Sequence, residues 1–219
     1  MAIAAVIFDL DGVLIDSEGM WSAARREVTL SHGGRWPDDA QRTMMGMSTT
    51  EWSAFMHDTL GVEMPPDEIR ETVVSRLEQL YRERLPLLPG ARETVVSLGE
   101  VWPLAVASSA GRPIIDLVLE LAGLADRFAA TVSSEEVAHG KPAPDVYLEA
   151  ARRLAVEPAG CVALEDSSNG LRSAAAAGMA VIAVPNREFP PSDDALDLAA
   201  DAVDSLEHLT PDRVRRALE

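Results

Sequence analysis

The sequence predicts an α/β protein, a parallel sheet wound with helices and interrupted after its first strand by an all-helical insertion. Three observations carry that expectation. Short, continuously apolar runs recur, each followed by a helical pattern; unbroken rather than alternating apolarity marks strands covered on both faces. Each run stops at polar or small residues, where open parallel sheets place their ligand-binding loops. Finally, the 219 residues are 47% hydrophobic and 25% charged, a globular balance. That length suffices for one substantial core and a second small domain, since domains typically run to ~100–150 residues.

The first strand lies in "IAAVIF" at 3–8. From about Ser17 to Arg84 the rhythm breaks: helical segments around 17–31, 48–60 and 67–84 are divided by "GGRWPDD" and "GVEMPPDE", and "RLPLLPGA" forms the exit. The expected organisation is a core of residues 1–16 and 85–219 with a helical domain at 17–84. Strands then follow in "PLAVAS" at 103–108, "CVAL" at 161–164 and "AVIAV" at 180–184. The tail "PPSDDALDLAADAV" reads as a loop leading to a last short strand.

A net charge of −17 argues against a nucleic-acid or anionic-membrane partner, because both reward basic patches. An acidic chain binds an anion through a local cation, a lysine or helix N-termini. The single cysteine, Cys161, precludes an internal disulfide and fits a reducing compartment. The start "MAIAAVIFDLDG" has no basic n-region and its apolar run stops at Asp9, so the cytoplasm is the expected location.

Asp9 and Asp11, in "AVIFDLDGVLIDSE", leave the first strand on one side because residues i and i+2 of an extended chain point the same way, and Gly12 lets the backbone turn away. Two such close carboxylates repel unless a cation joins them, and Mg2+ favours oxygen ligands. A surface pair at a turn is the structural alternative. A calcium loop of the EF-hand type is excluded, since Val13 and Leu14 stand where it needs a ligand and a glycine.

The run "CVALEDSSNG" delivers Glu165 and Asp166 to the same sheet edge, as further metal carboxylates or as plain complements to a helix dipole. "VASSAG" places Ser108 and Ser109 there, as phosphate-binding hydroxyls or as helix caps. Lys141, in "HGKPAPDVY", is the only lysine among 19 basic side chains, and Pro142 and Pro144 stiffen its surroundings. It offers a point charge for phosphate or for the carboxylates.

In this order, "DLDGVLIDSE", "VASSAG", "GKPAPDVY" and "EDSSNG" resemble the motifs of the haloacid dehalogenase superfamily of phosphohydrolases. The insertion looks like the small α-helical cap domain of the subfamily that includes β-phosphoglucomutase and phosphoglycolate phosphatase. The resemblance implies a Rossmann-like core and a Mg2+-dependent phosphatase acting through an aspartyl-phosphate. Asp9 then matches the nucleophile, Asp11 the general acid and base, Lys141 the motif lysine and Ser108, with Ser109, the phosphoryl-binding hydroxyl position. Asp166 matches the metal carboxylate, with Glu165, Asp9 and Asp11 completing the implied metal set.

In the cap, "MMGMSTTEW" is similar to a loop that β-phosphoglucomutases present to substrate: Gly46, Met47 and Ser48 fit it, but Thr49 stands where a phosphate-gripping arginine would be. Trp21 stands near a position that mutases fill with histidine. Both departures favour a hydrolase of a small phosphorylated metabolite, of the sugar phosphate or phosphoglycolate type, over a phosphosugar mutase. A non-enzymatic binding protein on the same fold is the remaining class, and a monomer is the default for this cap type. Met44, Met45, Met47 and Trp52 read as packing within the helical domain or as an apolar wall beside substrate.

Overall fold

The computed structural model describes residues 2–45, 47–186 and 189–218. In chain order the elements are β1 (Ala5–Phe8), α1 (Glu18–Ser31), α2 (Ala40–Met44), α3 (Thr49–Asp58), α4 (Pro66–Glu83), α5 (Ala91–Gly99), β2 (Leu104–Ser108), α6 (Arg112–Ala122), β3 (Ala130–Ser133), α7 (Asp145–Arg153), β4 (Cys161–Glu165), α8 (Ser168–Ala176), β5 (Ala180–Ala183), α9 (Asp193–Leu196), β6 (Asp201–Ala202) and α10 (Pro211–Arg216). Two compact units result, one made of Met1–Asp16 and Pro86–Glu219 and the other of Ser17–Leu85.

The first unit is built on a six-stranded sheet in the order β3-β2-β1-β4-β5-β6. Every neighbouring pair is parallel, the Rossmann-like α/β arrangement the sequence predicts. Strands β1, β2 and β4 are buried at every position, which is why they read as unbroken apolar runs. Side chains alternate between the two faces. Ala5, Ala105, Ala107, Ala163 and Ala183 form one face, and such small residues let α7 and α8 lie close through Val146, Tyr147, Ala150, Leu171 and Ala174. The opposite face is bulkier, with the rings of Phe8 and Phe128 edge to face at 5.7 Å.

Two elements differ from expectation. β3, "ATVS", went unread because Thr131 and Ser133 break its apolarity. The helix α2 is five residues long and too short to show a period.

The second unit is all helical. In α4 the buried side chains are Ile69, Val73, Leu77 and Tyr81, a stripe of i, i+4 spacing. Pro66 opens that helix, and Asp67 and Glu68 complement its N-terminal dipole. Met44 and Trp52 are buried, whereas Met45 and Met47 are partly exposed. The Arg25 guanidinium lies against two indoles that meet edge to face, 4.7 Å from the Trp21 ring centre and 5.1 Å from that of Trp52. Among the described residues no helix is long and apolar enough to cross a membrane.

Candidate active site

The parallel register assembles the site. Phe8 pairs with Leu164, so one residue further along Asp9 comes level with Glu165. The Asp9 amide donates to the Leu164 carbonyl at 3.0 Å and extends the ladder to that point. Beyond it the chain folds back tightly: the Leu14 and Ile15 amides both donate to the Leu10 carbonyl, and Gly12 takes φ +83°. Only glycine fits there, because the Asp166 carboxylate occupies the space a Cβ would need. Gly170, in the first turn of α8, makes the same room for the Glu165 carboxyl.

Asp9, Glu165 and Asp166 are buried, and an oxygen from each lies within 4.8 Å of the others. Lys141 is inserted among them, its side chain 5% exposed, with Nζ 2.7 Å from Asp9 Oδ1 and 2.6 Å from Glu165 Oε1. Glu165 is held on every side. Its Oε1 also accepts from Tyr147 Oη at 2.7 Å, and its Oε2 faces the amides of Asp166 and Ser167 and the Ser167 hydroxyl at 3.1–3.3 Å.

Three buried carboxylates crowd together and Lys141 bridges two of them, Asp9 and Glu165, an arrangement in which Asp9 favours a proton. Burial pushes Asp9 up to about 8; the Lys141 charge opposes this, and the nearby Glu165 and Asp11 carboxylates reinforce it. Burial also works against the charge of Lys141, but Asp9 and Glu165 together outweigh it and hold the ammonium above its ordinary range. Burial, with the Glu165 and Asp9 charges, keeps the Tyr147 hydroxyl protonated. This excess of hard oxygen donors over cations fits a divalent ion such as Mg2+, which would offset the repulsion that adds to the effect of burial on Asp9.

Asp11 lies in the turn and is partly exposed. Ser108 ends β2 fully buried, its Oγ accepting from the Ala110 amide at 3.0 Å. That bond leaves the hydroxyl proton free to donate, and Ser109 beside it is exposed. The ends of β1, β2 and β4 thus bring Asp9, Ser108, Glu165 and Asp166 to one edge of the sheet.

The helical-unit residues are placed differently. Gly46 lies outside the described residues. Ser48 is exposed and caps α3, accepting from the Glu51 amide while Glu51 accepts from the Ser48 amide. Thr49 is the first residue of that helix. Ser167 caps α8, one of the roles its place before that helix suggests, and its hydroxyl also donates to Glu165, which sequence reasoning missed. It missed Tyr147 altogether, because in sequence a tyrosine at that position reads as helix packing.

A model of the haloacid dehalogenase-like hydrolase family matches residues 3–178. Hexitol phosphatase B of Escherichia coli K12 is 37% identical over 225 residues, covering 95% of each chain. Among solved structures, CbbY from Rhodobacter sphaeroides in complex with phosphate superimposes with a TM-score of 0.85 at 28% identity, over 94% of this chain and 96% of that one. β-Phosphoglucomutase from Clostridium difficile gives a TM-score of 0.83 over 99% and 97% of the two chains; at 24% identity that likeness shows the fold.

Proposed function

The chain belongs to the haloacid dehalogenase-like hydrolase family, and from that premise we propose that it is a Mg2+-dependent phosphatase of small phosphorylated carbohydrates, working through an aspartyl-phosphate on Asp9. The observation that carries this reading is the buried bridge from Asp9 through Lys141 to Glu165, with Asp166 beside it.

In the first step a carboxylate oxygen of Asp9 bonds to phosphorus as the ester P–O bond breaks, and Asp11 gives its proton to the departing alkoxide. In the second, Asp11 takes a proton from water, the resulting hydroxide bonds to phosphorus, and the Asp9–phosphorus bond breaks. Orthophosphate leaves, and both carboxyl groups return to their starting states. The partial exposure of Asp11 suits a group that must trade protons with an alcohol and then with water.

Lys141 has three N–H groups, of which two serve Asp9 and Glu165, leaving one for a phosphoryl oxygen. Ser108 offers its hydroxyl proton to another, with the exposed Ser109 following it. Asp9 and Asp166 would hold Mg2+, with the Asp11 carbonyl as a further oxygen; Glu165, its oxygens engaged by Lys141, Tyr147 and Ser167, would orient the site beside the ion. Bound there, the ion would screen an anionic phosphoryl group from an anionic nucleophile.

The substrate class follows the relative named as a hexitol phosphatase, which supports a sugar or sugar-alcohol phosphate. A phosphosugar mutase is the second reading, supported by the fold likeness to β-phosphoglucomutase. Thr49 and Trp21 count against it, because a mutase must grip a second phosphate while its intermediate turns around.

The test is phosphate release from a panel of phosphorylated sugars, sugar alcohols and phosphoglycolate, with Mg2+ or EDTA, for wild type and Asp9→Asn. Mg2+-dependent release abolished by the substitution is the expected result. Isomerisation that requires a bisphosphate primer, without net phosphate release, would replace the hydrolase with the mutase.

A further inference from the structure

Tyr147 is fully buried and lies on the second residue position after Asp145, the start of α7. It touches the charged centre twice. Its hydroxyl donates to Glu165 Oε1 at 2.7 Å, the same oxygen that accepts a hydrogen bond from Lys141 Nζ at 2.6 Å. Its ring face lies 5.1 Å from Lys141 Nζ. A phenol this deep in the protein costs free energy unless its O–H is paired, and here the partner is the carboxylate that anchors the lysine.

We propose that Tyr147 is a positioning residue for Lys141, its hydroxyl fixing Glu165 and its ring the ammonium, so that Lys141 bridges to Asp9 with one N–H left over. The inference rests on the reading of Lys141 as a phosphoryl-binding residue. Two physical effects support it. A second donor on Glu165 Oε1 draws charge from that oxygen, so the lysine is shared with Asp9 rather than captured by Glu165. The aromatic face supplies a further attraction that confines Nζ to one side of its rotamer range.

Tyr147→Phe removes the hydroxyl and keeps the ring; Tyr147→Leu removes both. With p-nitrophenyl phosphate and saturating Mg2+, Tyr147→Phe should lose about tenfold in kcat, roughly the worth of one charge-assisted hydrogen bond. Its KM should change less than about twofold, since binding of the dianion is retained. Tyr147→Leu should fall further. A Tyr147→Phe protein with the kcat of an active wild type overturns the proposal, as does a loss that only tracks the fraction of folded protein. An inactive wild type would instead count against the phosphatase reading.

A second readout needs no turnover. Lys141 is the chain's one lysine, so in protein grown with 13C,15N-lysine every labelled side-chain signal comes from this residue. In wild type the ε-methylene protons should be shifted upfield by the Tyr147 ring, and the ammonium protons should exchange slowly. Tyr147→Phe should keep the ring shift and speed exchange, and Tyr147→Leu should lose both. A wild-type signal at the shift and exchange rate of free lysine would refute the contact, even if neither variant folds.

Discussion

Gly12 and Asp166 share one corner of the site: at φ +83° the Gly12 α-carbon faces the Asp166 carboxylate, and no Cβ fits between them. The turn that carries Asp9 and Asp11 away from β1 is thereby matched to the residue that follows β4. A Gly12→Ala protein should suffer twice. The left-handed backbone costs a non-glycine residue about 1–2 kcal/mol, and the methyl group must push Asp166 aside. The expected result is a melting temperature lower by several degrees and a Mg2+ half-saturation raised by about tenfold or more, as for lost support of a metal ligand. Titrating activity against Mg2+ checks it; an unchanged half-saturation would mean that Asp166 does not hold the ion.

Lys141→Met tests the ammonium. The substitution keeps the aliphatic stem but leaves Asp9 and Glu165 buried and close, without the charge they share. Removing one partner from such a buried cluster costs about 3–5 kcal/mol. The loss should grow as pH rises through about 8, where Asp9 ionises beside the ammonium in the wild type, whereas in the variant, without that charge to lower its pKa, it must stay protonated or be buried uncompensated. Urea denaturation in EDTA at two pH values measures both the size and the trend. Turnover should vanish at either pH, and Lys141→Arg should not restore it, because a planar guanidinium cannot replace a point charge at this spacing.

The raised Asp9 pKa also predicts how metal-free stability varies with pH. The group titrates near 3.8 in the unfolded chain and near 8 in the fold. Between those values the folded state binds more protons, so its stability contribution is fully present below about pH 4 and is lost as pH rises through 8. The slope from this group is at most about 1.4 kcal/mol per pH unit. Melting curves in EDTA for wild type and Asp9→Asn isolate the effect, since the difference between them should grow with pH. Saturating Mg2+ should shrink it, because an ion at these carboxylates favours the charged form in the fold. A pH-independent difference would show that Asp9 is ionised throughout.

What the sequence made legible follows from burial. Strands β1, β2, β4 and β5 are apolar throughout and could be read directly, together with the polar residues that end them. A parallel sheet puts the ends of β1 and β4 on one edge, and the strand order that makes them neighbours pairs Asp9 with Glu165 and Asp166. Tyr147 was not legible: with Val146, Ala150 and Ala151 it forms the buried stripe of α7, and a tyrosine in such a stripe looks like packing until its hydroxyl is placed. β3 was not legible because Thr131 and Ser133 break its apolarity, whereas the last short strand expected in the tail is β6. The contribution of Ser48 was obscure for another reason, because one hydroxyl can serve a helix end or a substrate with the same local sequence.

Ser48 therefore supplies the last test. Its hydroxyl and the Glu51 carboxylate satisfy each other's amides at the start of α3, so Ser48→Ala should cost about 1 kcal/mol of stability. In a chain of this size that corresponds to about 2–4 °C in melting temperature. Ser48→Asp keeps an N-cap acceptor and should melt close to wild type. The two variants separate capping from substrate contact. If the hydroxyl only caps the helix, Ser48→Asp keeps the wild-type KM for the sugar phosphate. If it also meets the substrate, the new carboxylate repels the phosphorylated ligand and KM rises in a protein of unchanged stability. The resemblance of this stretch to a loop that β-phosphoglucomutases present to substrate expects the second pattern.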